Sequence, residues 1–285
     1  MMRSQLKKIY RFLRYNVGIL LYALSGKKPW SAGYGEHKRS EIARLCSDAG
    51  TLDIFARNQP LPVNHGVKID ERIVEYPWVF SRLRSKKGGT LLDAGSTLNF
   101  DFLLSNPVLS NRTVYIYNLA PEGIVSRPNV SYVYGDLRST VFQDAFFDEI
   151  VCISTLEHVG MDNTFLYSSD RGFKESAQQD FVKVIAEFKR VLKPGGRLLI
   201  TVPFGVHEHM GWFQQFDLEM VTRVVETFKG RQADVTYYRY SPSGWQMSSA
   251  HACANERYFD IHKTKKFDPD YAAASRAVAC VELCA

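Results

Sequence analysis

Glu157 and His158 stand side by side just after the apolar run Ile150-Val151-Cys152-Ile153. An imidazole titrates near neutral pH and can accept a proton from a reacting group, while an adjacent carboxylate can orient it or bind a cation. A second histidine group, His207 and His209 around Glu208, follows the next apolar run and leads into Trp212. His-x-His is compatible with a magnesium or zinc site completed by Glu157 or Asp162. No third ligand stands at a diagnostic spacing, so no metal is expected. These histidines and Trp212 are instead expected to meet a hydroxylated or ring-shaped acceptor, with His158 as general base and Glu157 beside it.

Upstream lie two carboxylates in a different setting. Asp93 closes the run Gly89-Thr90-Leu91-Leu92 and is followed by Ala94, Gly95 and Ser96; Asp136 sits in Tyr134-Gly135-Asp136-Leu137. An apolar strand ending on an acid, a glycine and a small hydroxyl residue is how a nucleotide-type ligand is met at the carboxyl end of a parallel strand. Elements must position these residues, and from residue 90 onward short apolar runs alternate with helical patterns, the signature of a parallel sheet with crossover helices. Strands are expected at about 90 to 94, 113 to 118, 131 to 134, 148 to 154 and 197 to 203, with two more near 233 to 240 and 277 to 284. An amphipathic helix from Ser176 to Leu192 buries Phe181, Val184, Ile185, Phe188 and Leu192 and is stopped by Lys193-Pro194-Gly195-Gly196. Another begins with Asp217 as N-cap and ends at Gly230.

Four strings in this order, around Asp93-Ala94-Gly95-Ser96, Gly135-Asp136-Leu137, Leu156-Glu157-His158 and Leu192-Lys193-Pro194-Gly195-Gly196, resemble the class I S-adenosylmethionine-dependent methyltransferases. The resemblance implies an α/β fold: a Rossmann-like, seven-stranded, mostly parallel sheet with helices on both faces and the last pair antiparallel. It implies S-adenosylmethionine as cofactor, held by Asp93, Gly95, Ser96, Asn118, Leu119, Asp136, Leu137 and Ser154, with Arg72 on the carboxylate of its methionine end. In the family the first loop reads Asp-x-Gly-x-Gly-x-Gly; here Thr97 and Asn99 replace the second and third glycines, and the dinucleotide pattern Gly-x-Gly-x-x-Gly is absent. Asn118 stands where the family places the acid that accepts both ribose hydroxyls, with Glu122 one turn on. Asp136 matches the acceptor for the adenine amino group, with Leu137 against the ring. For each carboxylate a cap or loop turn is the competing role, and for Arg72 an ion pair within Asp70-Glu71-Arg72-x-x-Glu75. The string Asp-Ala-Gly-Ser-x-Leu-Asn is similar to bacterial methyltransferases encoded among polysaccharide and glycosyltransferase genes. It implies O-methylation of a small or glycan-type hydroxyl. Rival readings are a membrane-associated methyltransferase of a lipid-like quinone or phenol, and a catalytically silent cofactor-binding relative.

The chain of 285 residues, 45% hydrophobic, suffices for one α/β core with appendages. We read residues 1–45 as a basic N-terminal helical extension and 46–285 as the catalytic domain. The net charge of +6 is concentrated: residues 1–45 hold ten Lys/Arg against two Glu, and the remainder holds 26 basic against 28 acidic side chains. A nucleic-acid groove across the core is therefore not expected. Helical spacing puts Leu6, Ile9, Tyr10, Leu13, Val17, Leu20, Leu21 and Leu24 along one side, with Lys7, Lys8, Arg11 and Arg14 mostly off it. Such a helix suits the inner face of a membrane or a packing role, and the expected localisation is cytoplasmic, with peripheral attachment through residues 1–25. Five cysteines without a C-x-x-C pair read as reduced, packed thiols.

Overall fold

The computed structural model describes residues 16–24, 26–83, 88–167, 174–272 and 274–285. Its centre is one twisted sheet built from β1 (Thr90–Ala94), β2 (Thr113–Asn118), β3 (Val130–Tyr134), β4 (Phe147–Ile153), β5 (Leu192–Pro203), β8 (Gln232–Ser241), β9 (Gly244–Ser248) and β10 (Ala277–Cys284). A separate hairpin pairs β6 (Glu208–His209) with β7 (Gln214–Gln215). The sheet order is β3-β2-β1-β4-β5-β10-β8-β9. Strands β1 to β5 pair in parallel, and β10 runs antiparallel to both β5 and β8. All seven expected strands are present. The eighth, β9, folds back on β8 through the turn at Ser241–Gly244, where Gly244 adopts a positive φ of 93°.

Two hydrophobic clusters cover the sheet. Leu91, Val114, Ile116, Val151, Ile153 and Leu199 pack with helices Tyr34–Leu45, Ala49–Ala56 and Arg72–Leu83. Their neighbours Leu92, Cys152, Leu198 and Ile200 pack with helices Phe181–Val191 and Leu218–Phe228. This alternation is the period-two consequence of side chains leaving a strand on opposite faces. The first of the two C-terminal helices buries Phe181, Val184, Ile185, Phe188 and Val191 but starts at Phe181, five residues later than its pattern suggests. The second is capped by the Asp217 side chain, which accepts from the Met220 N–H, and it ends on Lys229 in the left-handed region. Cysteines 46, 152, 253 and 280 are buried, Cys284 is half-buried, and all five are free.

The chain moves outward from β1 to β3, then returns to β4 on the other side of β1. At such a reversal the loops after the two central strands separate and leave a crevice outside their carboxyl ends. The loops after β1 and β4 therefore border the site.

Helical residues 16–24 dock through Tyr22, whose ring lies edge-on to Tyr34 at 5.7 Å and is 1% exposed. Val17, Leu20, Leu21 and Leu24 on the same segment are exposed. The expected apolar and basic residues 1–15 lie outside the described residues. No helix among the described residues is long and apolar enough to cross a membrane.

Candidate functional site

Asp93 ends β1 fully buried, and both its oxygens are engaged by its own loop. Oδ1 accepts from the N–H and hydroxyl of Thr97 at 3.2 and 3.1 Å, and Oδ2 accepts from the Leu98 N–H at 2.8 Å. Burial pushes this carboxyl up to about 7 against those hydrogen bonds. Asp93 thus shapes the loop, and Thr97, standing where a second glycine was expected, supplies the grip. Asn99 braces the same loop by donating to the Gly123 carbonyl at 2.8 Å and accepting from the Tyr132 hydroxyl at 2.7 Å. Gly95 is required: its φ is 108°, and a Cβ there would lie 2.0 Å from Thr155 Oγ1 in the loop after β4. Ser96 also takes a positive φ, and its hydroxyl donates to the Glu122 carboxylate.

A cleft opens beside this loop, lined by Gly95, Asn118, Leu119, Asp136, Leu137 and Thr155 among others. Asn118 differs from its expected use as an acceptor. Its Oδ1 already accepts from the Leu119 N–H at 3.0 Å and the Tyr167 hydroxyl at 2.7 Å, which leaves the Nδ2 amide to meet a ligand hydroxyl. Asp136 reaches the cleft clamped by Arg138, whose Nη2 donates to Oδ2 at 2.6 Å and whose backbone N–H donates to Oδ1 at 2.8 Å. Burial opposes ionisation of this carboxyl, yet the Arg138 bonds hold it below the usual range. Arg138 also grips Glu175 and Asp180, so four side chains form one network at the rim.

Across the β1/β4 crevice, Glu75 is a hidden hub. Its Oε1 accepts from the hydroxyls of Ser154 and Thr201 at 2.6 and 2.7 Å, and its Oε2 pairs with Arg72 at 2.7 Å. The ion pair that competed with a ligand role for Arg72 is therefore present, but with a fully buried acid that ties helix Arg72–Leu83 to the ends of β4 and β5. Arg72 and Ser154 both line a trough that continues from the cleft, together with Glu71, Glu157, His158, Trp212, Phe213 and Tyr258.

His158 lines both cavities. Its Nδ1 lies 2.9 Å from the Trp212 carbonyl oxygen. A carbonyl only accepts, so Nδ1 carries the proton and Nε2 keeps its lone pair. Burial lowers the ring to about 4, against the pull of that hydrogen bond. It is therefore neutral near pH 7 and not half-ionised as its free value suggests. Beside it, Glu157 is 3% exposed, and burial raises its carboxyl well above the usual range.

Trp212 packs at 5.1 Å from the His158 ring, and the wall continues through Phe213 to Tyr258. His207 and His209 do not join it. Both are exposed, and the His209 ring turns back to accept from the Gly211 N–H at 3.1 Å. The hairpin separates the two sets: His207 and His209 lie before its tip and face solvent, while Trp212 and Phe213 at the tip pack against His158. Among the described residues no cluster of three His, Cys, Asp or Glu side chains is arranged to hold a metal ion.

Residues 106–200 match a family model described as a methyltransferase domain. That stretch runs from the loop after the first glycine turn to the middle of β5 and includes Asn118, Asp136, Ser154, Glu157 and His158. Over this third of the chain the protein is therefore similar to methyltransferase domains. Solved structures similar to this chain include a Burkholderia thailandensis 1,6-didemethyltoxoflavin-N1-methyltransferase at 14% identity, covering 70% of this chain and 71% of that one with a TM-score of 0.38. A Methanosarcina mazei S-adenosylmethionine-dependent methyltransferase is 11% identical over 70% and 93% of the two chains, with a TM-score of 0.40. A Haemonchus contortus phosphoethanolamine N-methyltransferase 2 is 13% identical over 86% and 60%, with a TM-score of 0.42. No curated protein matches the chain in sequence.

Several residues of the cleft and trough carried no sequence signal. Tyr258 lies far down the chain from His158, in no motif, and reaches the trough only because the segment after β9 folds over Phe213. Tyr167 and Arg138 act through Asn118 and Asp136 and are invisible without the contacts. Glu75 was visible as one acid in a charged cluster, and its complete burial is a property of the packing.

Proposed function

We propose that the protein is an S-adenosylmethionine-dependent methyltransferase that transfers a methyl group to a hydroxyl of a small or glycan-type acceptor, with His158 as the base. Bound S-adenosylmethionine supplies an electrophilic methyl on a sulfonium. The donor set fits it: Leu119 and Leu137 would offer apolar contact and Asp136 an acceptor at the adenine end, the Asn118 amide would meet the ribose, and Gly95, Ser154 and Arg72, which line the cleft and trough, would meet the methionine end.

The observation that carries the reading is the fixed tautomer of His158 at the junction of cleft and trough. In-line displacement needs the acceptor aligned, water excluded and one proton removed. Trp212, Phe213 and Tyr258 present aromatic faces that suit a sugar or planar ring, and Nε2 takes the proton as the new carbon–oxygen bond forms. An ether oxygen that still holds its proton is a far stronger acid than an imidazolium, so even a histidine lowered to about 4 suffices.

The test is incubation with isotopically labelled methyl donor and a panel of hydroxylated small molecules and oligosaccharides. The products should carry the label as O-methyl groups in carbon-resolved NMR, with one S-adenosylhomocysteine released per methyl. Label found only on nitrogen or carbon overturns the assignment. A second reading, an acceptor embedded in a membrane such as a quinone or phenol, draws on the exposed Val17, Leu20, Leu21 and Leu24.

A further inference from the structure

The trough beyond His158 contains more acid than the reaction above uses. Glu157 lines it, and its Oε2 is fully enclosed without a hydrogen-bond partner among the described residues. A buried carboxyl oxygen left unsatisfied costs about 1–3 kcal/mol, so such an atom calls for a ligand. Glu71 lines the same trough, and its carboxylate accepts a long 3.3 Å bond from the Ser275 N–H. Burial, with the charges of Asp70 and Glu75 nearby, pushes Glu71 up to about 8.

The basic side chains along the trough are already committed. Arg72 is paired with Glu75 at 2.7 Å and Lys38 with Asp70 at 2.5 Å. Neither Glu71 nor Glu157 has a lysine or arginine in an ion pair among the described residues. The rings of Trp212, Phe213 and Tyr258 line the same trough. Two carboxyl groups without an ion-pair partner among the described residues, in a trough that also carries three aromatic rings, suit an ammonium group, which carboxylates meet by charge-assisted hydrogen bonds and rings by their quadrupoles.

We propose that Glu157 and Glu71 form an ammonium subsite, in which a primary ammonium group of the bound ligand donates to Glu157 Oε2 and to the Glu71 carboxylate. The inference rests on the methyltransferase reading of the cleft. The ammonium has two sources: the amino-acid end of the cofactor, whose carboxylate would face Arg72 alongside, or an amine on the acceptor that serves as a handle while a neighbouring hydroxyl is methylated.

Calorimetry on the full chain and its Glu157→Gln and Glu71→Gln variants separates these sources, with circular dichroism confirming that each is folded. The probes are S-adenosylhomocysteine, which carries the ammonium, and 5′-methylthioadenosine, which lacks the amino-acid end. If the cofactor is the source, the variants bind S-adenosylhomocysteine about ten- to a hundredfold more weakly and methylthioadenosine unchanged. If the acceptor is the source, both nucleosides bind unchanged, but ethylammonium gives a saturable rise in melting temperature of the S-adenosylhomocysteine-loaded protein that the variants lose. Equal behaviour of wild type and both variants toward S-adenosylhomocysteine and ethylammonium overturns the subsite. A wild-type protein that binds neither nucleoside overturns the cofactor reading instead.

Discussion

Replacing His158 by asparagine and by alanine separates the two roles its geometry allows. The ring donates through Nδ1 to the Trp212 carbonyl at 2.9 Å, which ties the loop after β4 to the tip of the β6–β7 hairpin. A neutral hydrogen bond of this kind contributes about 0.5–1.5 kcal/mol, so losing the anchor alone lowers turnover no more than about tenfold. Loss of a general base costs about 10² to 10⁴. Asparagine can restore the N–H to the Trp212 carbonyl but has no basic nitrogen at the position of Nε2. Both variants should therefore lose at least about a hundredfold in kcat while S-adenosylhomocysteine affinity, read by calorimetry, stays near that of the wild type. The wild-type pH profile should show its acidic limb near 4, where burial has moved the ring, and not near the free value of about 6.5. The sign for stability follows. As pH falls through about 6.5 the unfolded chain takes up the proton and the folded chain resists it until about 4, so stability declines over that window and the alanine variant flattens the decline. Asparagine with wild-type turnover, or a wild-type limb near 6.5, would refute the base assignment.

Gly95→Ala should melt lower, by about the 1–3 kcal/mol of a strained positive φ, and lose S-adenosylhomocysteine binding, because its Cβ would collide with Thr155 Oγ1; thermal melts and calorimetry read both, and normal binding removes the loop from the site. Asp136→Ala should weaken S-adenosylhomocysteine by about 1–3 kcal/mol, a lost buried hydrogen bond to a carboxylate; an unchanged Kd returns Asp136 to holding Arg138 alone. Removing residues 1–25 should leave cofactor affinity intact but abolish co-flotation with anionic vesicles. The full chain should float at low salt and release towards 1 M, where the screening length is about 3 Å. If neither form floats and truncation lowers the melting temperature sharply, the segment serves packing through Tyr22.

The positions of the strands along the chain were legible because they rest on local physics. Short continuous apolar runs such as Leu91-Leu92 and Ile150-Val151-Cys152-Ile153 fit strands buried on both faces, and the breaks at Gly95 and Gly135 mark where β1 and β3 end, whereas Gly195-Gly196, expected to precede a strand, lie inside β5. The same locality made His158, Trp212 and the cleft residues Gly95, Leu119 and Leu137 recognisable, since each immediately follows a strand or a glycine that brings backbone close to the ligand. What one residue does to another across the fold was not legible. Asp93 is spent on Thr97 and Leu98, and Asn118 presents its amide because Tyr167 and the Leu119 N–H occupy its oxygen. The β6–β7 hairpin turns His207 and His209 to solvent while it delivers Trp212. The charge of His158 and Glu157 was likewise decided by tertiary structure alone. Both groups lose water when helix Arg72–Leu83, the hairpin and the segment carrying Tyr258 close over them, and desolvation depends on every element that packs, not on the neighbours along the chain.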